Sequence, residues 1–340
     1  MAIISRKKLV FRIAPALREY LSGYSREFEL PLQYTDLILY DNAVPLYAKN
    51  GRDTLWETVF YPASEAPEIY ENLKRIYADL KANGDVSVMQ HLHVDRVDVC
   101  TYGNTKPFRV RIVNQVNDNF DYFYIKIADA SRVYGLELEH LLSPNRISYL
   151  TFGQTLIEEH IAGIPGDEFL RYHLSESTLN PIRLSKEFVK FTERCFVQLL
   201  GDMHSANFVV VTMPDFEDVH YRLRAIDFDQ QSYEARRSVY QPQYFKQNNL
   251  LIELGMKFMT MESVRQYQIE ERSLIANRLR TERQRIQDLL SVMIDDTIST
   301  PANTESLRNE LARYYRNSAF LRCRSMGEIV KTSLELVLTH

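Results

Sequence analysis

The chain has 340 residues, of which 45% are hydrophobic and 25% charged, enough to bury a sizeable core as one large or two ordinary domains. A formal charge of −4 at pH 7 and a pI near 6.1 argue against nucleic acid as a partner bound by bulk charge, while leaving room for a local basic pocket. The cysteines, Cys100, Cys195 and Cys323, are far apart and odd in number, which argues against a disulfide framework or a metal site and fits a reducing compartment.

Residues 1–17 are basic without an unbroken apolar run, and no segment reaches membrane-spanning length; a cytoplasmic location with no membrane partner is the expectation. Residues 30–47 mix short apolar runs. Residues 66–82 predict an amphipathic helix, because Ile69, Leu73, Ile76, Tyr77 and Leu80 share one face. Pro67 suits its first turn and Asn83-Gly84-Asp85 its stop. From about 89 to 163 the chain reads as strands: 97–101, 108–113 and the β-prone 120–127, with a polar turn at Asn117-Asp118-Asn119. A short helix over 130–142 and strands near 147–152 and 155–161 follow, and Gly163-Ile164-Pro165-Gly166 leads out.

Beyond 167 helices dominate. A helix over 184–199 precedes two strands, 209–213 and 221–228. An apolar helix covers 248–261, and a long charged helix is expected over 262–298, from the near-heptad spacing of Leu274, Leu279, Ile286, Leu290 and Met293. That helix reads as a packing or homodimer element, with Arg278, Arg280, Arg283 and Arg285 as a solvated face. Pro301 breaks it, and 304–339 holds one or two more helices. No internal repeat or low-complexity tract is present. Three regions result: an extension over 1–88, a strand-rich part over 89–163 and a helical part over 164–340.

The chemistry concentrates in Gly201-Asp202-Met203-His204-Ser205-Ala206-Asn207 and in Ala225-Ile226-Asp227-Phe228-Asp229. An Asp, an Asn five residues on, and a second Asp after an apolar strand suit phosphoryl transfer: Asp202 to orient an attacking hydroxyl, Asn207 and Asp227 to offer hard oxygens to Mg²⁺. A carboxylate ending an apolar strand is costly to bury unless paired or bound to a cation. The plain structural readings are a turn or cap for Asp202, a loop-shaping role for His204, a turn residue for Asn207 and a solvent-facing strand position for Lys126. Asp229 is a second metal ligand or a loop brace.

The segment GDMHSANFVVV resembles the Gly-Asp-x-His-x-x-Asn-apolar signature of the aminoglycoside phosphotransferase and choline kinase group, within the protein-kinase-like superfamily. Residues 154–163 are similar to that group's fifth strand and hinge, Tyr124-Ile125-Lys126-Ile127 to its phosphate-gripping strand, and Tyr102-Gly103-Asn104-Thr105 to its short phosphate loop. The resemblance covers about 90 to 250. It implies an α+β, protein-kinase-like bilobal fold, with a small antiparallel-sheet N-lobe and hinge over 89–163, a mainly helical C-lobe over 164–340, and 1–88 as an added extension. It implies ATP and Mg²⁺ as cofactors, Asp202 as catalytic residue, Asn207 and Asp227 as metal ligands, and Lys126, Glu137, Gly103 and Glu159 as nucleotide-binding residues. Lys126 would take the α- and β-phosphates, Glu137 would pair with it, and Glu159 would act through its hinge backbone.

The implied activity is transfer of the γ-phosphoryl group to a hydroxyl of a small molecule. Leu200 stands where the group has His before Gly-Asp, and only Gly103 remains of a glycine-rich loop. A catalytically silent nucleotide-binding scaffold and a protein kinase are therefore the alternatives. A metal-dependent hydrolase is disfavoured, since His91 and His93 form the only close histidine pair.

Overall fold

The computed structural model describes residues 8–48, 50–82, 84–101, 106–214 and 219–339. Gly103 and its neighbours 102–105 lie outside the described residues. The protein is α+β and divides into two compact units: residues 18–128 with 147–160, and residues 1–17 with 129–146 and 161–340.

The first unit is entered through α1 (Pro15–Gly23) and α2 (Tyr34–Leu37). It is built on an antiparallel sheet of β1 (Asn42–Tyr47), β2 (Asp53–Phe60), β3 (Leu92–Val99), β4 (Phe108–Asn114), β5 (Phe120–Ile127), β6 (Tyr149–Phe152) and β7 (Thr155–Glu159). Their spatial order is β1-β2-β3-β4-β5-β7-β6. The helix predicted over 66–82 is present as α3 (Ala66–Lys81), with Pro67 in its first turn, Glu68 near its N-terminus and Lys81 in its last turn. Its buried stripe of Ile69, Leu73, Ile76 and Leu80 joins Val97, Val99, Phe108, Val110, Phe123, Ile125 and Ile157 from the sheet in one core. Each such side chain contributes about 1.5–3 kcal/mol by leaving water. Region 1–88 thus supplies β1, β2 and α3 to the same sheet and core as the strands that follow.

In the second unit α4 (Ala130–Leu142) is buried nearly throughout. It is accompanied by α5 (Gly166–Tyr172), α6 (Pro181–Gln198) and a small sheet of β8 (Ile164–Pro165), β9 (Phe208–Pro214) and β10 (Val219–Ala225), in the order β10-β9-β8. α6 starts cleanly because the Asn180 side chain accepts from the Arg183 N–H and Pro181 opens the first turn; it ends at Leu199, whose φ of 56° turns the chain left-handed. The remainder is α7 (Asn249–Phe258), α8 (Met261–Thr281), α9 (Arg283–Asp295), α10 (Pro301–Tyr315) and α11 (Met326–Leu338).

The single long helix expected over 262–298 is two helices, α8 and α9, separated at Glu282 (φ −99°, ψ 26°). The redirection serves packing: α8 lies on α6 and α9 on α11. There Gly327 admits the α9 backbone so closely that a Cβ would stand 2.2 Å from the Met293 carbonyl oxygen. Pro301 begins α10, behind a Thr300 cap. Among the described residues no helix is long and apolar enough to cross a membrane.

One buried charge cluster holds α4, α6 and α8 together. The Arg194 side chain, 3% exposed, donates to Glu271 (2.6 Å) and to the Leu223 carbonyl, and lies 4.0 Å from both Glu139 and Glu187. Burial alone would push the guanidinium down; the surrounding Glu271, Glu139 and Glu187 carboxylates outweigh it and hold it up.

Candidate active site

The site grows from the register of the β9–β10 hairpin. Phe208 opposes Ala225 at its base, and the Ile226 N–H donates to the Asn207 carbonyl (3.0 Å). Antiparallel pairing therefore delivers Asn207, just before β9, and Asp227, just after β10, to the same end of one ladder, although 20 positions separate them in sequence.

Upstream, the loop carrying Asp202 is laced to the segment after Asp227. Leu200 bridges Gln231, the Gly201 N–H donates to the Gln230 carbonyl (3.2 Å) and the Ser232 N–H to the Leu199 carbonyl (2.8 Å). Gly201 is required by this approach, since a Cβ would stand 2.9 Å from the Gln230 carbonyl oxygen. Asp202 itself is left-handed, φ 62°, a sparsely populated conformation for a residue with a Cβ. Its carbonyl accepts from the His204 N–H (2.8 Å) and the Asn207 Nδ2 (2.9 Å), and its N–H donates to the Val239 carbonyl (3.0 Å). Asn248, fully buried, donates to the Met203 and Pro242 carbonyls and braces the same loop.

Burial and the neighbouring carboxylates of Asp227, Glu234 and Asp229 push the Asp202 carboxyl up to about 7. Burial pushes the His204 imidazole down, against the pull of Asp227 and Asp167. His204 Nδ1 accepts from the Ala206 N–H (3.2 Å), and Nε2 stands 4.0 Å from the Asp202 carboxylate. The imidazole thus shapes the turn between Asp202 and Asn207.

Asp227 Oδ1 accepts from Arg132 Nη1 (2.9 Å) and from the Asp229 N–H (3.0 Å), and the same Nη1 donates to Asp229 Oδ1 (2.6 Å). Asp229 is therefore the second acceptor of a buried arginine. Sequence reasoning missed Arg132, and a signal was present: it is a lone charge in the first turn of an apolar helix, with Gly135 and Leu136 three and four positions on, so it had to find its partner elsewhere.

The other expected residues fall as follows. Lys126, 8% exposed, is paired with Glu158 across adjacent strands (2.8 Å) and lies 5.4 Å from the Tyr124 ring. Glu137 is fully buried, and its carboxylate takes the Arg285 guanidinium (2.5 Å). The Glu159 N–H donates to the Ser148 carbonyl (3.1 Å), and its carboxylate takes Lys81 (2.9 Å) and the Ser148 N–H (2.8 Å). The structure thus brings Asp202, Asn207 and Asp227 together and gives Lys126, Glu137 and Glu159 partners of their own.

The donor set can be weighed against Mg²⁺. With Oδ1 of Asp227 engaged and Nδ2 of Asn207 donating, Asp227 Oδ2 and Asn207 Oδ1 remain as hard oxygen donors. Among the described residues no three His, Cys, Asp or Glu side chains group as a ligand set. Two donors fit a magnesium ion that keeps its waters and takes further oxygens from phosphates, and they do not fit a stand-alone metal cage.

Gly166, at the start of α5, fixes the turn from the other side. A Cβ there would stand 2.4 Å from the Ser205 carbonyl oxygen and 2.5 Å from the Phe208 ring. Gly166→Ala is expected to cost about 1–3 kcal/mol of stability by overpacking and to displace the Ser205–Asn207 turn. Thermal melting checks it; a variant that melts like the wild type would show that the turn yields freely.

Comparison with known proteins leaves the argument to this geometry: no protein-family model and no curated protein sequence matches the chain.

Proposed function

We propose that the protein is an ATP- and Mg²⁺-dependent phosphotransferase of the protein-kinase-like kind, moving the γ-phosphoryl group to a hydroxyl of a small molecule. The observation that carries this reading is the convergence of Asp202, Asn207 and Asp227 at the base of the hairpin, with the Asp202 carboxyl pushed up to about 7. A carboxyl at that value is ionised enough near neutral pH to receive a proton and basic enough to attract one. Asp202 would accept the hydrogen bond of the acceptor hydroxyl and orient its oxygen for in-line attack. Asn207, held by its own amide to the Asp202 carbonyl, and Asp227, held by Arg132, would offer Oδ1 and Oδ2 to the metal. Magnesium, when bound with the nucleotide, supplies charge neutralisation at the phosphates. The resemblance assigns Lys126 to the α- and β-phosphates as a compact point charge.

The test is incubation with γ-labelled ATP, Mg²⁺ and a metabolite extract, followed by separation of small molecules from protein. Label in a small molecule supports the reading; label in protein alone means a protein kinase. Calorimetric binding of ATP that needs Mg²⁺, without any transfer, leaves the silent nucleotide-binding scaffold. One observation favours that second reading: the Lys126 ammonium is already neutralised by Glu158.

The pH dependence has a definite sign. Because Asp202 is raised from 3.8 to about 7, its proton-accepting form is lost as pH falls through that value, so turnover is expected to rise with pH on a limb centred near 7. Glu234→Gln removes one of the charges that raise it and should move this limb to lower pH. The raised carboxyl also favours the fold while protonated, a contribution lost as pH climbs from the unfolded value toward 7. Asp202→Asn should accordingly abolish transfer and melt at higher temperature than the wild type at pH 8. A flat pH–rate profile across 5 to 8 would remove Asp202 from the chemistry.

A further inference from the structure

Arg132 is held in place independently of the carboxylates it meets. Asp129 caps α4 by accepting from the Arg132 N–H (3.2 Å), and is itself fixed by the Lys8 ammonium (2.5 Å) and the Phe11 N–H (2.9 Å). The Ser131 hydroxyl donates to the Gln231 carbonyl (2.5 Å). Gly135 lets α4 approach so closely that a Cβ would stand 3.0 Å from the Gln231 side chain and 3.1 Å from that of Phe228. The first turn of α4 is thus riveted to the segment following Asp227, and it delivers a guanidinium, 3% exposed, between Asp227 and Asp229.

We propose that Arg132 is the resident counter-ion of the Asp227–Asp229 pair, a positioning residue that fixes Asp227 and weakens its attraction for a divalent ion arriving alone. Two carboxylates sharing one guanidinium carry a single net negative charge; without it they carry two and repel each other. A divalent cation at Asp227 Oδ2 would stand beside a fixed positive charge whose own guanidinium is buried, and like charges that close repel. Arg132 therefore favours metal that arrives with a polyphosphate, whose negative charge offsets the guanidinium. The inference rests on the proposed function for the role of Asp227, but its claim concerns the metal alone.

The experiment is a titration of Mn²⁺, without nucleotide, into the full chain, followed by electron paramagnetic resonance. Arg132→Gln is expected to bind Mn²⁺ at least about tenfold tighter than the wild type, and Arg132→Lys, which keeps the charge, to stay within about threefold. A folded Gln variant that binds no tighter than the wild type overturns the proposal, as does a Lys variant that gains as much as Gln. If Arg132→Gln does not fold, the charge-balanced Arg132→Gln/Asp229→Asn chain replaces it, with wild-type affinity expected; affinity shifted by about tenfold or more either way overturns the proposal. A purely structural role would loosen metal binding together with stability. Tighter Mn²⁺ binding with no ATP turnover in the wild type would keep this inference and reject the phosphotransferase reading; turnover with unaltered Mn²⁺ binding would do the reverse.

Discussion

Asp227→Ala is expected to lower Mg²⁺-dependent ATP turnover by about 10²–10³-fold, roughly 3–4 kcal/mol of barrier, the usual scale for a preorganised charge-stabilising group. The fold should survive, because the Asp227 side chain is 36% exposed and its partner Arg132 keeps Asp229 at 2.6 Å. Two consequences separate a site defect from a general one. First, Asp227 is the leading charge that raises Asp202, so the residual activity should show its acid limb at lower pH. Second, Asp227→Asn, which keeps the oxygen facing Arg132 and the Asp229 N–H, should melt like the wild type yet still lose most turnover. Steady-state rates at saturating ATP with a Mg²⁺ titration, read beside a melting curve, decide the matter. An Ala variant with full activity and unchanged Mg²⁺ dependence would remove Asp227 from the mechanism.

The largest stability effect is expected at Arg194. Arg194→Met removes the cation that lies within 4.0 Å of Glu271, Glu139 and Glu187, and should cost about 3–5 kcal/mol, because breaking a buried charge cluster from one side leaves its other members uncompensated. The carboxylates would then take up protons, and burial already pushes Glu187 upward. The variant should thus gain more on mild acidification than the wild type does, so that the deficit between them narrows. Denaturant unfolding at pH 5.5 and pH 8 checks this; equal losses at both would mean that the carboxylates find other partners. Glu271→Gln in the Arg194→Met background should restore part of the stability by removing one buried charge, a coupling that a double-mutant cycle measures.

What was legible in the sequence was what local pattern controls. The helix over 66–82 and the strands over 108–113 and 120–127 were set by apolar spacing and by turn residues, and they stand where expected. The convergence of Asn207 with Asp227 was legible too, because an apolar run and an alternating one, separated by a short polar connection, point to a hairpin. What pattern could not give was partner choice among buried charges. Lys126 meets Glu158 because strands β5 and β7 are neighbours, with Tyr124 opposite Glu158. Glu137 meets Arg285, 148 positions away. Arg132 reaching Asp227 is likewise fixed only by how α4 is seated. The break at Glu282 leaves no mark in the pattern because the apolar period runs through it, and it shows only in the packing, α8 on α6 and α9 on α11.

The β9–β10 hairpin also separates the candidate site from the opposite end of its own ladder. Its base carries Asn207 and Asp227, and six residue steps separate the Phe208–Ala225 pair there from the Pro214–Val219 pair at the far end, a span of about 20 Å at the usual rise of a strand. The ladder insulates the one end from the other. A cross-strand pair exchanged at the far end therefore changes the contacts of that end alone and leaves in register the backbone that carries Asn207 and Asp227.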